Sequence, residues 1–237
     1  MKKLLTRLFD NKSELSLQQR KRLAAWRRLP PATVSTPINK MRCVVMDVES
    51  SGLDLKKDRL ISIGAIALVN GQLALGDYFY AVLQQPTASD KENILLHGIS
   101  GSDQMEGVPA IDALLDFLEF LGRDPLVAFH VAFDKHMITQ AIDQYLNFKF
   151  KRQWLDLAYI MPALNPDLAE NCRSLDEWSN CFNLENETRH NALADAIVTA
   201  ELLQVALHQG SKRSIAHYSK FLSLEKSLRW LTNQGDY

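Results

Sequence analysis

The sequence predicts an α/β fold in which helices pack on a central sheet. Segments with strand-like and helix-like patterns alternate along the chain: three strands come first, then a helix, a strand, a helix, a strand and further helices. This order is typical of layered α/β domains. The length of 237 residues, with 46% hydrophobic and 23% charged residues, fits one such domain with a terminal extension and argues against a disordered or coiled-coil chain.

Five strands are predicted from apolar runs that are rich in β-branched and aromatic residues. They span residues 42–48, 60–69, 77–83, 126–129 and 154–157. Asn70 and Gly71 supply a tight turn after the second run, and Gly52 supplies a turn after the first. The fourth run contains no polar residue, which is typical of a strand that is buried on both faces.

The helices are predicted from apolar residues that recur on one face with helical spacing. They cover residues 109–121, 175–182, 191–208 and 211–231, and a further helix starts near Phe133. Residues 4–29 carry apolar residues at loosely helical intervals among basic ones, and Pro30 and Pro31 end that pattern. Residues 30–40 are interpreted as a linker between this basic helical arm and the rest of the chain.

Several features predict a cytoplasmic protein without a membrane span. The longest apolar run, residues 60–69, has about half of the roughly 20 residues that a spanning helix needs. The apolar stretch at residues 1–9 ends before it reaches the length of a secretion signal. Cys43, Cys172 and Cys181 are odd in number and lack CxxC spacing, so neither a disulfide framework nor a zinc cluster is expected.

The near-zero net charge of −1 conceals an asymmetry along the chain. Residues 1–40 carry a net charge of +8, and the remaining residues carry −9. A basic arm on an acidic body favours contact with nucleic acid or with an acidic protein partner. The alternative is a helix face that is simply solvated.

Two carboxylates end the first predicted strand. Side chains alternate along a strand, so Asp47 and Glu49 project from one face and Val48 from the other. Two neighbouring acids repel each other, and a hard divalent cation such as Mg²⁺ or Mn²⁺ would neutralise them. The alternative for this tripeptide taken alone is a solvated strand end.

The four residues after Glu49 offer groups that suit a phosphate and a base. Ser50 and Ser51 bring hydroxyls, Gly52 brings an accessible backbone, and Leu53 brings an apolar side chain that can wedge against a base. A simple turn is the alternative interpretation of this segment.

Two later segments carry further acidic residues and a histidine. Asp134 starts the helix after the fourth strand, where ligands of α/β sheets collect, although a helix-capping role is the alternative. His190 precedes a helix that carries Asp195, and histidine is the side-chain type that most often serves as a general base near neutral pH. The alternative for His190 is a surface histidine on a loop. The small residues Ala192, Ala194 and Ala196 allow this helix to lie close to the sheet.

Together these motifs resemble the DEDDh (DnaQ-like) 3′–5′ exonuclease superfamily, which includes the proofreading epsilon subunit of bacterial DNA polymerase III. The motifs are the Asp-x-Glu tripeptide, Phe133-Asp134 and His-x-Ala-x-x-Asp-Ala at residues 190–196. Further features of the family lie between these motifs: residues 96–100, the strand with Asp156, and the pair Ser174-Leu175. The resemblance covers residues 41–208. Phe129 and His130 replace the family's His-Asn, and Ser50-Ser51 replaces its Thr-Thr.

The resemblance implies a ribonuclease H-like fold with a mixed five-stranded central sheet flanked by helices. Together with the residue patterns on either side of it, the resemblance divides the chain into a basic helical arm and linker at residues 1–40, an exonuclease domain at residues 41–210, and a C-terminal helix at residues 211–237 that packs on or beside the domain. The implied reaction is metal-dependent hydrolysis that releases nucleoside 5′-monophosphates from single-stranded or frayed 3′ ends. DNA is favoured over RNA as the substrate, although these motifs alone do not separate the two.

The resemblance also assigns roles to residues. Two divalent cations, Mg²⁺ or Mn²⁺, are implied, and His190 is the implied general base for the attacking water. Asp47, Glu49 and Asp195 hold one cation, Asp47 bridges to the second, and Asp134 supports that second ion. The implied contacts to the terminal nucleotide come from Ser50, Ser51, Gly52, Leu53, His97 and Phe133.

Two alternatives to this picture stay open. One is a catalytically silent nucleic-acid-binding or scaffold module of the same fold, but such a module has no physical reason to keep repelling acids clustered. In the other alternative, the basic arm docks a protein partner instead of contacting nucleic acid.

Overall fold

The computed structural model describes residues 14–33, 35–186 and 188–234. The strands are β1 (Arg42–Ser50), β2 (Leu60–Val69), β3 (Gln72–Val82), β4 (Leu126–Ala128) and β5 (Trp154–Asp156). The helices are α1 (Leu17–Arg28), α2 (Lys91–His97), α3 (Gly101–Met105), α4 (Ala110–Leu121), α5 (Val131–Leu146), α6 (Leu157–Leu164), α7 (Leu175–Cys181), α8 (Ala192–Lys212) and α9 (Tyr218–Gln234), with a short 3₁₀ turn at Ile38–Lys40. None of the described helices is long and apolar enough to span a bilayer.

The five strands form one mixed sheet in the order β3-β2-β1-β4-β5. β2 pairs antiparallel with both β1 and β3, whereas β4 pairs parallel with β1, and β5 pairs parallel with β4. Val44, Met46 and Val48 of β1 contribute to the apolar cluster that includes α4 and α5, and Cys43 and Val45 contribute to the cluster with α6, α8 and α9. The mixed five-stranded sheet flanked by helices is therefore confirmed.

The turn between β2 and β3 explains why β3 starts five residues earlier than predicted. Asn70 and Gly71 have φ values of 53° and 76°, the left-handed conformations of a two-residue hairpin turn. Pairing then begins at once, with Val69 opposite Gln72. The alternation of exposed and buried side chains becomes regular only near Asp77, which is where the sequence predicted the strand.

Three helices were not predicted from the sequence. α2 and α3 have seven and five residues, too few for a hydrophobic repeat to be recognised. α6 follows β5 without a loop, because the side chain of Asp156 ends the strand and accepts the N–H of Ala158 as the cap of the helix. The predicted strand 154–157 therefore ends one residue early, and α5 begins at Val131, slightly before Phe133.

The described part of the basic arm is a helix that packs on the body of the protein. Leu23 and Trp26 of α1 are buried, and the indole of Trp26 donates a hydrogen bond to the carbonyl of Gly122. Arg22 donates to Glu119 and Asp116 of α4. Part of the opposite charge of arm and body is thus neutralised within the chain, and residues 1–13 lie outside the described residues.

The sulfur atoms of Cys172 and Cys181 are joined in a disulfide, a single bond where the cysteine count predicted no disulfide framework. The two residues are nine positions apart, with Cys172 before α7 and Cys181 as its last residue, so the bond closes one short loop and does not belong to a multi-bridge framework. An odd number of cysteines in the sequence conceals a single local pair of this kind. Cys43 is free and buried within the sheet.

Candidate active site

The end of β1 presents two carboxylates on one face of the sheet. β1 lies at the centre of the sheet, and Asp47 and Glu49 pair with Gly64 and Ser62 of β2. Val48, between them, packs in the apolar cluster on the other face. The strand therefore has the side-chain alternation expected of the Asp-Val-Glu tripeptide.

The start of α8 brings an acid and a histidine to the same edge. Asn191 caps the helix, because its side-chain oxygen accepts two backbone N–H groups of the first turn at 3.1 and 3.2 Å. Asp195 lies on this first turn and is 4% exposed. His190 precedes the cap in a left-handed conformation with φ 59°, so the chain turns sharply at the residue expected to be the base.

Three carboxylates converge at this point. Asp47, Glu49 and Asp195 each place one oxygen atom within 4.8 Å of the others. An all-oxygen donor set of this kind suits a hard divalent cation such as Mg²⁺ or Mn²⁺. The structure thus brings together three of the four acids that the sequence singled out, from segments far apart in the chain.

Asp134 approaches the cluster from the first turn of α5. Its side chain is 4% exposed, and it does not belong to the group of three whose oxygens lie within 4.8 Å. Of the charged neighbours of Asp47, however, Asp134 is the one that raises the pKa of that carboxyl most. Asp134 is therefore a fourth acidic group that acts on Asp47.

Burial and mutual repulsion raise the pKa values of the carboxyl groups at this site. Burial is the largest cause for Asp47, whose pKa lies well above its ordinary value, and the charges of Asp134 and Glu49 add to it. Burial, followed by the charge of Asp195, raises the pKa of Glu49 to about 7. Burial also raises the pKa of Asp134, opposed by the backbone N–H groups of Asp134 and Val48.

Asp195 is held in place by donors that the sequence did not single out. Its Oδ1 accepts hydrogen bonds from the guanidinium of Arg189, at 2.7 Å, and from the amide of Asn186. Its Oδ2 accepts the backbone N–H of His190 at 3.1 Å. Arg189 also forms an ion pair with Asp176 of α7. The only sequence signal for Arg189 is its position next to His190.

A cleft of about 730 Å³ opens over the carboxylates. Among the residues proposed from the sequence, those that line it are Asp47, Glu49, Ser50, Gly52, Leu53, His97, Phe133, His190 and Asp195. The further lining residues are Val48, Asn93, Leu96, Phe129, His130, Ser174, Leu175 and Arg189. A cleft of this size falls in the range of sites that hold small ligands or a single nucleotide.

Ser51 is placed differently from the expectation. Its hydroxyl donates to Asp58 and accepts the backbone N–H of Arg59, both at 2.9 Å, and Ser51 does not line the cleft. Its carbonyl accepts a hydrogen bond from the side chain of Asn93. Ser51 therefore stabilises the loop after β1, and Leu53 of the same loop is 86% exposed at the cleft.

His97 lines the cleft as a largely buried side chain at the end of α2. Its Nδ1 accepts the backbone N–H of Ile99 at 3.0 Å, and its Nε2 lies 3.4 Å from the hydroxyl of Ser89. Burial lowers the pKa of His97, against the opposing effect of its backbone hydrogen bond. The imidazole is therefore neutral near pH 7, and its polar edge is oriented by these two contacts.

Comparison with known proteins finds a matching family model and similar proteins that have names. The family model RNase_T, described as exonuclease, matches residues 44–203. The epsilon subunit of DNA polymerase III from Aquifex aeolicus is 31% identical over 186 residues, which cover 77% of this chain and 89% of that protein. The PolC-type DNA polymerase III of Clostridium perfringens is 30% identical over 181 residues, which cover 76% of this chain and 12% of that protein. The chain thus spans about an eighth of the PolC-type relatives.

Two solved structures show the same fold. Exonuclease I of E. coli, in complex with a dT13 oligonucleotide, superposes with a TM-score of 0.61 at 16% identity, over 73% of this chain and 42% of that one. Exonuclease X, in complex with 5′ overhanging duplex DNA, superposes with a TM-score of 0.59 at 15% identity, over 78% of this chain and 99% of that one. The ribonuclease H-like architecture implied by the motifs is therefore confirmed.

Proposed function

Because the chain belongs to the exonuclease family whose model spans residues 44–203, we propose that it trims the 3′ ends of nucleic acid and releases nucleoside 5′-monophosphates. Family membership confirms the DnaQ-like superfamily that the motifs resemble, and with it the expected class of enzyme, a 3′–5′ exonuclease. The observation that carries the proposed reaction is the convergence of Asp47, Glu49 and Asp195 in one cleft beside His190.

The residues at the site fit divalent cations. The donors are carboxylate oxygens whose pKa values are raised first by burial and then by mutual repulsion, and a bound cation would offset the repulsion. We assign Asp47, Glu49 and Asp195 to one ion and Asp134, together with Asp47, to a second, with Mg²⁺ or Mn²⁺ as the expected metals. When bound, such ions supply charge stabilisation for the attacking and leaving oxygens of phosphodiester hydrolysis.

His190 is the proposed general base. It lines the cleft, and its backbone N–H is fixed by Asp195, so the imidazole is carried by the same turn as a proposed cation ligand. In this role its side chain takes the proton of the water that attacks the scissile phosphate. General-base assistance is worth about 10² to 10⁴ in rate.

The terminal nucleotide is proposed to occupy the cleft beside the carboxylates. Ser50 and Gly52 border it on the β1 side, and Leu53 and Phe133 supply apolar surface for a base or sugar. His97 is proposed to lie near a phosphate, with its imidazole held by the contacts described above. Aromatic and apolar surface of this kind binds single strands with little preference for sequence.

DNA is the favoured substrate over RNA. Exonuclease I and Exonuclease X were crystallised with a DNA oligonucleotide and with DNA duplex, and the Aquifex relative is named as a subunit of a DNA polymerase. Single-stranded or frayed 3′ ends are the expected form, because a cleft for one nucleotide requires an unpaired terminal base.

The test presents matched 5′-labelled DNA and RNA oligonucleotides to the purified protein with Mg²⁺ or Mn²⁺. We expect a ladder of 3′-trimmed products that EDTA abolishes, with faster trimming of DNA. Asp47→Ala removes a proposed cation ligand and should abolish the ladder, whereas Asp167→Ala, at an exposed position that does not line the cleft, should not. If Asp47→Ala trims as well as the wild type, the proposed function is wrong. A wild-type protein that binds DNA without trimming it supports the silent module instead.

The basic arm is proposed to assist by contacting phosphates upstream of the cleft, with docking of a protein partner as the rival role. Arg22 forms ion pairs with Asp116 and Glu119, so we do not assign it a phosphate contact. Arg20, Lys21 and Arg28 of α1 are exposed and leave a basic face. Such a face compensates for the acidic body when the ligand is a polyanion.

A further inference from the structure

Asp156, the last residue of β5, joins three segments of the chain through one buried carboxylate. Its Oδ1 accepts the backbone N–H groups of His130, at 3.0 Å, and of Ala158, at 3.1 Å. Its Oδ2 accepts the backbone N–H of Val131 at 3.1 Å. The side chain is 3% exposed. Hydrogen bonds to an ionised acceptor are strong, so this carboxylate ties the start of α5 to the end of β5.

α9 holds Asp156 with two of its residues. Arg229 donates from Nη2 to Oδ2 of Asp156 and from Nε to Oε1 of Glu225, both at 2.8 Å. Oε2 of Glu225 accepts the backbone N–H of Asp156 at 3.1 Å. The guanidinium also lies over the ring of Tyr159, 3.9 Å from its centroid. α9 lies beyond the residues that the family model matches, so these contacts are additional to the matched domain.

The junction between β4 and α5 needs support of this kind. His130 is the N-cap residue of α5, yet its side chain caps nothing, and its backbone has a left-handed φ of 62°. This conformation is unfavourable for residues other than glycine and persists where the surroundings hold it. The carboxylate of Asp156 provides the missing cap for His130 and Val131 from a different strand.

The same turn carries Asp134. Asp134 lies three residues after Val131, on the first turn of α5, and the backbone N–H of Val48 hydrogen-bonds its carboxylate. The charge of Asp156 is close enough to act on Asp134. Among the ion pairs of the described residues, Arg229 is the cation that pairs with Asp156. Arg229 therefore neutralises a buried charge that would otherwise face Asp134 without compensation.

We propose that Arg229 and Glu225 of α9 form a clamp on Asp156 that fixes the first turn of α5 and thereby positions Asp134 for its divalent cation. The inference rests on the proposed function for the role of Asp134. Arg229 and Glu225 are positioning residues, because neither lines the cleft. Residues that orient metal ligands in this way typically affect metal affinity or activity by about 10- to 100-fold.

The test compares Arg229→Met, which keeps an apolar stem over Tyr159, with Arg229→Lys, which restores the charge but cannot bond Glu225 and Asp156 in the same forked geometry. The matched control is Arg22→Met. Arg22 likewise ties a helix, α1, to the body through two acids of α4, Asp116 and Glu119, and neither acid lines the cleft. The readouts are hydrogen exchange at the amides of His130 and Val131, Mn²⁺ affinity by calorimetry, and kcat and KM on a DNA oligonucleotide.

For Arg229→Met we expect exchange at the two amides to be at least about tenfold faster, Mn²⁺ binding about tenfold weaker and kcat about tenfold lower, with KM near the wild-type value. Arg229→Lys should recover part of each loss. Arg22→Met should leave all of them within twofold, even where it lowers the free energy of unfolding equally. Amide exchange and Mn²⁺ affinity of Arg229→Met within twofold of the wild type would overturn the clamp. If the wild type trims no oligonucleotide, the proposed function fails, and the exchange and Mn²⁺ measurements still decide the clamp.

Discussion

Gly64 of β2 lies directly beneath Ala192, the first residue of α8, with no room for a side chain between them. A Cβ atom at Gly64 would overlap the carbonyl group of Ala192 and the amide nitrogen of Leu193. Gly64 also pairs with Asp47 across the sheet. The absence of a side chain at one position of β2 thus allows the turn that carries Asp195 to reach the carboxylates of β1.

We expect Gly64→Ala to separate α8 from the sheet and to cost most of the activity. The added methyl group meets backbone atoms, which cannot move aside as a flexible side chain can, and overpacking of this kind costs about 1–3 kcal/mol. A displacement of about 1 Å at reacting groups lowers rates by roughly 10²-fold. The measurements are kcat on a DNA oligonucleotide and the free energy of unfolding in urea.

Gly76→Ala is the matched control for this substitution. Gly76 lies in the neighbouring strand β3, and a Cβ atom there would have no neighbour within 4 Å. Stability and kcat should therefore stay close to the wild-type values. Equal activity of Gly64→Ala and the wild type would show that the close approach of α8 is not required.

Local sequence patterns were sufficient to locate the sheet and the acidic residues. β2 was predicted with its observed ends because its apolar run is bounded by turn residues. Asp47 and Glu49 were placed on one face because the strand period is fixed at two. These features depend on neighbouring residues only. That acids from distant segments lie together was predicted from the DEDDh motifs, because no local pattern carries that information.

The contacts that hold the site together could not be predicted in the same way. Arg229 and Asp156 are 73 residues apart, and nothing near either of them in the sequence indicates a partner. Ser51 looked like a phosphate ligand, but its hydroxyl bonds to Asp58 and Arg59 because the loop folds back on itself. Such contacts depend on how whole helices, strands and loops pack against one another. A hydrophobic repeat carries no information about that packing.

The clustered acids should reduce stability when no cation is present. We expect Asp47→Asn to raise the free energy of unfolding in EDTA at pH 7.5 by about 1–2 kcal/mol while it abolishes trimming, because it removes a carboxyl group that is disfavoured by burial and by the charges of its neighbours. Urea unfolding with and without Mg²⁺ provides the measurement, and Asp167→Asn, at an exposed position, is the control. A loss of stability in Asp47→Asn would contradict the view that these carboxylates repel one another in the folded protein.

His190 should be required for the chemical step and not for cation binding. We expect His190→Ala to lower kcat by about 10² to 10⁴, the usual value of general-base assistance, with Mn²⁺ affinity within a few-fold of the wild type. Calorimetry and single-turnover trimming separate the two effects. His208→Ala, an exposed histidine near the other end of α8, should change neither. A loss of less than tenfold in His190→Ala would remove His190 from the role of base.

The ion pair between Arg22 and Glu119 should make docking of α1 sensitive to acid. The hydrogen bond from Arg22 lowers the pKa of Glu119. A lowered pKa stabilises the folded state above the ordinary value of about 4.3, and this contribution disappears as the pH falls through the folded-state pKa. Glu119 is partly exposed, so we expect less than about 1 kcal/mol.

The measurement is the free energy of unfolding between pH 2.5 and 6.5 for the wild type and Glu119→Gln. The difference between them should be largest at pH 6 and should vanish at the acidic end. Glu170→Gln, at an exposed position, should follow the wild-type curve. A difference that is independent of pH would mean that the charge of Glu119 contributes nothing to the docking of α1.

The exposed basic face of α1 can be tested without removing the helix. Deletion of residues 1–37 would also remove Leu23 and Trp26 from the core. A weaker binding of nucleic acid could then result either from lost phosphate contacts or from lost folding. The triple variant Arg20→Gln, Lys21→Gln and Arg28→Gln keeps α1 in place and removes three charges. Each phosphate contact contributes about 0.7 to the slope of log affinity against log salt for single strands. We expect the slope to fall by up to about 2 relative to the triple control Lys212→Gln, Lys220→Gln and Lys226→Gln, whose residues are exposed on α8 and α9. An equal slope in both triple variants would exclude this face of α1 as a phosphate contact and would leave a protein partner as its proposed ligand.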